Sequence, residues 1–188
     1  MEIVIPISQF DPKNVKLDHV RSNPLRRTIS FTYEENNIAF SNLILMLHPL
    51  KVIEIDMEKK QIVLEESRGP ALLAKLEQFQ MNVNGELERN PEKWIEESKL
   101  PSVIRNPLQQ WVKSKRFTLY LSSEPSSLCM FTEKGKTIFS EDSIKPGDMV
   151  RVIIKIHGLS LQMSEDDIWT GKSRIQHHVL QLYKVNCD

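Results

Sequence analysis

Between residues 149 and 161 the chain alternates apolar and polar side chains for longer than an average strand, and then slips phase at a glycine. Val150, Val152, Ile154 and Ile156 share one face, while Met149, Arg151, Ile153 and Lys155, continued by His157, share the other. At Gly158 the apolar positions move to Leu159 and Leu161. A glycine where alternation slips marks a β-bulge or a strongly coiled strand. A long strand bent in this way lets a five-stranded sheet close on itself, so one face of this tract is core and only the opposite, cation-bearing face is available to solvent or a ligand. Lys145-Pro146-Gly147 precedes it as a type II turn, a polar loop over 162–173 follows, and a second β-type run covers 174–185.

The rest of the chain supports a mainly β, α+β protein. Residues 2–8 are β-prone, 28–33 alternate Ile29, Phe31 and Tyr33 against Thr28, Ser30 and Thr32, and 38–47 read as one strand broken by Pro49. Residues 52–56 and 61–65 form a hairpin with a charged tip. Pro70 opens a helix of about three turns with Leu72, Leu73, Leu76 and Phe79 on one face; Asn90-Pro91 caps a second, shorter one through Lys99. Strands return at 116–121, 128–132 and 137–139, with turns at 124–127 and 133–135. The expected architecture is an antiparallel barrel or sandwich in a single domain, 1–188: N-terminal strands at 1–66, an acidic helical insert at 67–102 and C-terminal strands at 103–188.

Composition narrows the function. With 188 residues, 40% hydrophobic and 27% charged, the chain is an ordinary globular protein with no apolar run long enough for a bilayer, so no membrane partner is expected. The N-terminus has neither a signal nor a transit pattern, and Cys129 and Cys187 lack metal-ligand spacing, which together point to the cytosol or nucleus. The 25 basic and 25 acidic residues balance, which excludes coating of nucleic acid by bulk charge alone. Yet residues 51–102 hold 8 Lys/Arg against 11 Asp/Glu, and residues 103–188 hold 12 against 9. The charge is polarised toward a basic C-terminal half.

Several motifs fail on spacing. Gly135-Lys136-Thr137 and Gly171-Lys172-Ser173 lack the upstream glycine of a phosphate-binding loop, where Met130 and Asp166 stand instead. His177 and His178 are adjacent on a strand and point to opposite faces, so they cannot share an ion with Glu165, Asp166 and Asp167. No Gly-x-Ser-x-Gly, His-Glu-x-x-His or cysteine–histidine context occurs, and His19 and His48 precede a turn and Pro49. The chain is therefore expected to be non-enzymatic, without metal or cofactor. A hydrolase with dispersed carboxylates would need them gathered in one pocket.

Cations interleave with rings at Arg105, Trp111, Lys113, Lys115, Arg116 and Tyr120, and the polar loop adds Trp169, Lys172 and Arg174. That mixture suits single-stranded nucleic acid, because charge tracks phosphates while rings stack on bases. Residues 116–184 resemble the OB-fold region of single-stranded-DNA-binding proteins from large DNA viruses. The likeness lies in the hairpin Met130-Phe131-Thr132-Glu133-Lys134-Gly135-Lys136, in Lys145-Pro146-Gly147-Asp148 before a long strand, in the Ile156-His157-Gly158-Leu159 slip and in Arg174-Ile175-Gln176-His177-His178. The resemblance implies an OB-like barrel, a viral origin, a place in DNA replication with replication proteins as partners, and DNA rather than RNA as ligand. The acidic insert and neutral balance depart from it.

The expected function is non-enzymatic binding of single strands with little base preference, by Trp111, Lys113, Lys115, Arg116, Tyr120, Arg151, Lys155, His157, Trp169, Lys172 and Arg174, with a homo-oligomer left open. The alternative is a viral or host interaction or assembly module that docks a partner on a sheet edge or on the acidic insert through Glu92, Glu96 and Glu97.

Overall fold

The alternating tract is the spine of a large mixed sheet. The computed structural model describes residues 3–23, 26–66, 73–121, 129–132 and 135–185. Its strands are β1 (Val4–Pro6), β2 (Val15–Asn23), β3 (Arg26–Glu35), β4 (Ile38–Phe40), β5 (Leu43–Met46), β6 (Leu50–Asp56) and β7 (Gln61–Glu65). After the helix α1 (Leu73–Arg89) come β8 (Val112–Lys113), β9 (Arg116–Tyr120), β10 (Cys129–Thr132), β11 (Gly135–Ile138), β12 (Met149–Met163) and β13 (Trp169–Val185). The protein is mainly β, as the periodicity predicts. None of its described helices is long and apolar enough to cross a membrane.

β12 uses both of its edges. Along one it pairs antiparallel with β13 over almost its whole length. Along the other it meets β3 at Gly158 to Leu161, β5 at Ile153 to Ile156 and β6 at Met149 and Val150, with Leu47 N–H donating to Val152 O (2.8 Å) between the last two. The N-terminal strands therefore belong to the same sheet as the C-terminal ones. The predicted slip is a bulge: pairing jumps from Ile156 with His177 to Gly158 with Gln176, leaving His157 as the extra residue. Gly158 has φ +147°, and a Cβ built there would lie 2.2 Å from Ile29 O. Only a residue without a Cβ lets β3 approach this closely.

The predicted type II turn is present, with Asp148 N–H donating to Lys145 O (3.0 Å) and Gly147 at φ +100°. Other local expectations change. Residues 38–47 form two strands, because β4 folds back on β3 through Asn36 and Asn37, both at positive φ, before β5 leaves for β12. Residues 91–99 form two 3₁₀ turns rather than a helix, since Asn90 supplies no side-chain cap and Trp94 is drawn to β2, its Nε1 donating to Asp18 O (3.1 Å). The polar loop shrinks to 164–168, with Trp169 to Ser173 already in β13. β2 was not expected, its Lys16, Asp18 and Arg21 masking the strand pattern. The predicted turns at 124–127 and 133–134, Pro70 and Cys187 lie outside the described residues.

The sheet also departs from the antiparallel barrel. β1 on β5 and β10 on β13 are parallel pairs, and the sheet does not close. Between β9 and β13 the gap is spanned by residues 107–113. Ser173 N–H donates to Pro107 O (2.6 Å) and Gln109 N–H to Ser173 O (2.8 Å), around one isolated bridge between Leu108 and Ser173. Pro107 has no N–H to extend a ladder.

α1, within the expected helical insert, covers the core face of the sheet. Its apolar stripe runs about four turns, through Leu73, Leu76, Phe79, Val83 and Leu87, all buried. Phe79 meets Phe31 edge-on (5.2 Å between centroids) and reaches Phe10 and Trp111. One hydrophobic cluster joins residues from the N-terminal strands, the helix and the C-terminal strands. Burial of each such side chain contributes about 1.5 to 3 kcal/mol.

Gly158→Ala should destabilise the protein by at least about 3 kcal/mol in urea unfolding, because backbone of β3 must move. Gly147→Ala, at positive φ but with open space around it, should cost only about 1 kcal/mol.

Candidate functional site

Two of the expected ligand-stacking rings are core residues. Trp111 is 4% exposed and packs against Phe117 and the His177 ring (5.1 and 5.3 Å), while Trp169 is fully buried with its Nε1 donating to Lys172 O (2.9 Å). Neither offers a face to a base; the phase of each strand turns the ring toward the apolar cluster. Tyr120 is half-buried, and the Arg174 guanidinium lies 5.7 Å from its ring centre.

The cations fare differently. Cross-strand partners share a sheet face, so register alone places them. One row runs Lys113, Arg116, Glu65, Lys51, Met149 across β8, β9, β7, β6 and β12. The next holds Arg151 and Tyr183, and the backbone ladder continues through Phe131 to Lys136. Farther along β12 come Lys155 opposite His178, then the bulged His157, then Ser160 opposite Arg174. From Arg151 to Ser160 this face extends roughly 30 Å. Lys113 and Arg116 flank the hairpin turn at Ser114 and Lys115, both at positive φ, which lifts Lys115 to the tip.

Exposed Lys51, Lys113, Lys115, Lys136, Arg151, Lys172 and Arg174 have no ion-pair partner among the described residues. Arg116 is neutralised by Glu65 (3.0 Å). The face thus retains unpaired positive charge even though the whole chain has no net charge.

At its far end the face deepens into an open groove of about 670 Å³. Asn106 and Gln109 line one side, Ser160 and Gln162 the other, with Lys172 and Arg174 between; no carboxylate among the described residues lines it. Amide side chains offer both donors and acceptors, and the two cations favour an anion. The volume lies in the range of small-ligand sites. Elsewhere, the pair of His48 Nε2 and Glu66 Oε1 (2.9 Å) sits at the β5–β6 break, where burial lowers the His48 pKa against the opposing pull of Glu66. Its surroundings make it a structural contact: Glu66 N–H donates to Lys115 O (2.9 Å) and so ties β7 to the cationic turn.

Sequence reasoning missed Lys51, Lys136 and Tyr183. Tyr183 is 39% exposed, and it shows only when β13 is phased from Leu182, which is buried. Lys51 required knowing that β6 follows β5 along β12. Among the described residues no three His, Cys, Asp or Glu side chains gather as a metal set. No protein-family model matches the chain, and no curated protein matches its sequence.

The two adjacent histidines split as strand geometry requires. His178 points outward, with its ring 6.2 Å from that of His157. Partial burial, the Lys155 charge and the His178 ring lower the His157 pKa. His177 points inward between Trp111, Phe117 and Tyr120, and its Nε2 accepts from Tyr120 N–H (2.9 Å), linking β9 to β13 where the ladder is missing. Burial, followed by the Arg174 charge and the His157 and His178 rings, pushes the His177 pKa down to about 3 from 6.5. The unfolded chain therefore binds the proton more readily. Stability from this group is complete above pH 6.5 and is lost as pH falls toward 3, with a slope of at most about 1.4 kcal/mol per pH unit. His177→Gln, which keeps an acceptor for Tyr120 N–H, should flatten that part of the pH–stability curve in urea titrations.

Proposed function

We propose that the protein binds single-stranded nucleic acid, DNA in preference to RNA, across the outer face of β12 and β13 and along the row that ends at Lys113. The observation that carries this reading is the run of exposed, unpaired cations on one sheet face of a chain with no net charge. Lys51, Lys113, Lys115, Lys136 and Arg151 track phosphates at one end, and Lys172 and Arg174 do so at the groove. Tyr183, and Tyr120 beneath Arg174, supply the stacking surface in place of the two buried tryptophans. Base preference is weak on the flat part of the face, since a π-face accepts any base.

The finer reading of the sheet is OB-like: a long strand coiled at Gly158, a curved sheet around it, and residues 107–113 standing in for a closing ladder. With the resemblance to viral single-stranded-DNA-binding proteins, this favours a role beside replication proteins.

A fluorescent oligothymidylate should bind with an affinity that falls steeply with salt, and Arg151→Glu or Lys51→Glu should each weaken binding and reduce the salt slope by about 0.7 per lost phosphate contact. Tyr183→Ala should cost about 1 to 3 kcal/mol with the salt slope unchanged. Absence of binding at low ionic strength refutes the reading. Stronger effects from charge reversal at Glu92, Glu96 and Glu97 than at Arg151 would favour the assembly module instead.

The lowered His157 pKa gives a further expectation. Phosphates near His157 oppose the charge of Lys155, so binding takes up a proton and tightens as the pH falls toward the lowered His157 pKa. His157→Gln should remove that part of the pH dependence.

A further inference from the structure

A second groove, of about 580 Å³, lies away from the cationic sheet face, between β2 and the C-terminal half of α1. Val15, Leu17, Val83 and Trp94 give it an apolar floor and wall. Among the described residues its rim carries Lys13, Lys16, Arg89 and Lys93 against one carboxylate, Glu86. Lys93 is paired with Glu86 (3.0 Å) and Lys16 with Glu34. Lys13 and Arg89 have no ion-pair partner among the described residues. The helical segment is acidic in total, yet the face it turns to this groove is basic.

The complementary shape is on the same molecule. The 164–168 loop between β12 and β13 is a braced acidic knob: Ser164 N–H donates to Ile168 O (2.7 Å), Asp167 N–H to Ser164 O (3.1 Å) and Ile168 N–H to Ser164 Oγ (3.2 Å). Asp167 is held by Arg27 and by Lys99 (2.8 Å), which leaves exposed Glu165 and Asp166 without ion-pair partners among the described residues, next to Ile168, 40% exposed. Knob and groove are neighbours. Lys99 grips the knob, and Trp94 in the groove wall is joined to it by a stretch that spans at most roughly 17 Å. A two-fold pair needs one self-complementary patch in which each element of one copy meets the other element of its mate.

We propose that two copies of the chain pair isologously, the 164–168 loop of each seated in the β2–α1 groove of the other. Ile168 meets the apolar floor, and Glu165 and Asp166 meet Lys13 and Arg89. Two small contacts related by a two-fold axis make a weak, salt-sensitive dimer.

Sedimentation equilibrium at low salt, up to about 0.5 mM protein, should show wild-type mass rising from 21.9 kDa toward twice that value, and salt should reverse it. Glu165→Lys with Asp166→Lys puts like charges in both contacts and should leave a monomer; Lys13→Glu with Arg89→Glu should do the same. An equimolar mixture of the two variants restores opposite charges at both contacts and should form a dimer. Thermal melts of each variant confirm that the fold is intact. Wild type that stays monomeric, variants that dimerise alone, or a mixture that does not associate overturns the proposal. Monomeric wild type that nevertheless binds the free peptide Ser-Glu-Asp-Asp-Ile would assign the groove to a foreign acidic segment, which also overturns it. None of these outcomes depends on nucleic-acid binding.

Discussion

The backbone of β12 is hydrogen-bonded along both edges, and the rest of the molecule is arranged around that fact. One edge is committed to β13, and the other is divided among β3, β5 and β6. Three short strands from the first third of the chain can follow one another along a single long strand only if that strand coils. The bulge at His157 supplies the local twist, and Gly158 supplies the space, because the carbonyl of Ile29 occupies the position where a Cβ would stand. The core follows. Once β3 crosses there, Phe31 reaches Phe79, and the helix has a surface to cover.

Coiling also decides where the charges go. A sheet with α1 on one face leaves a single face for solvent, so the outward residues of β6, β8, β9, β12 and β13 share it although they are far apart in sequence. Acidic residues are largely used locally, Asp148 on Lys184, Asp56 on Lys59 and Asp167 on Lys99 and Arg27. Each such pair contributes little to stability when exposed. They pair these carboxylates with nearby cations rather than with Lys51, Lys113 or Arg151 of the outer face.

The parts legible in the sequence are those set by local physics. Alternation and the glycine slip located β12 and its bulge, the Pro-Gly dipeptide gave a type II turn, and the 52–65 hairpin formed as its charged tip implied. What stayed hidden depends on tertiary choice. Val15–Asn23 carries too many charges to look like a strand and becomes one because β3 offers an edge. The same holds for the site: Arg151 and Lys155 are legible from alternation, whereas Lys51 needs strand order. The two tryptophans were misassigned because residue type suggests stacking equally well for a core ring and a surface ring, and only burial separates them.

The burial of both indoles limits the kind of recognition that the proposed binding face would perform. A surface built on several exposed indoles would bind mainly through stacking, and its affinity would persist in salt. Here Trp111 and Trp169 stabilise the junction of β9, β13 and residues 107–113 from inside, with His177 completing it. The exposed face is left with one well-exposed tyrosine, the His157 and His178 rings and a series of lysines and arginines. In the proposed function, the attraction of this face for a polyanion is therefore mainly Coulombic, long in range and readily screened. The groove at the far end of the face is the exception, because Asn106, Gln109 and Gln162 can hold a polar edge at fixed distances there. In the proposed binding mode, base preference would arise at that end of the sheet, while the Arg151 end would set how tightly a strand is held.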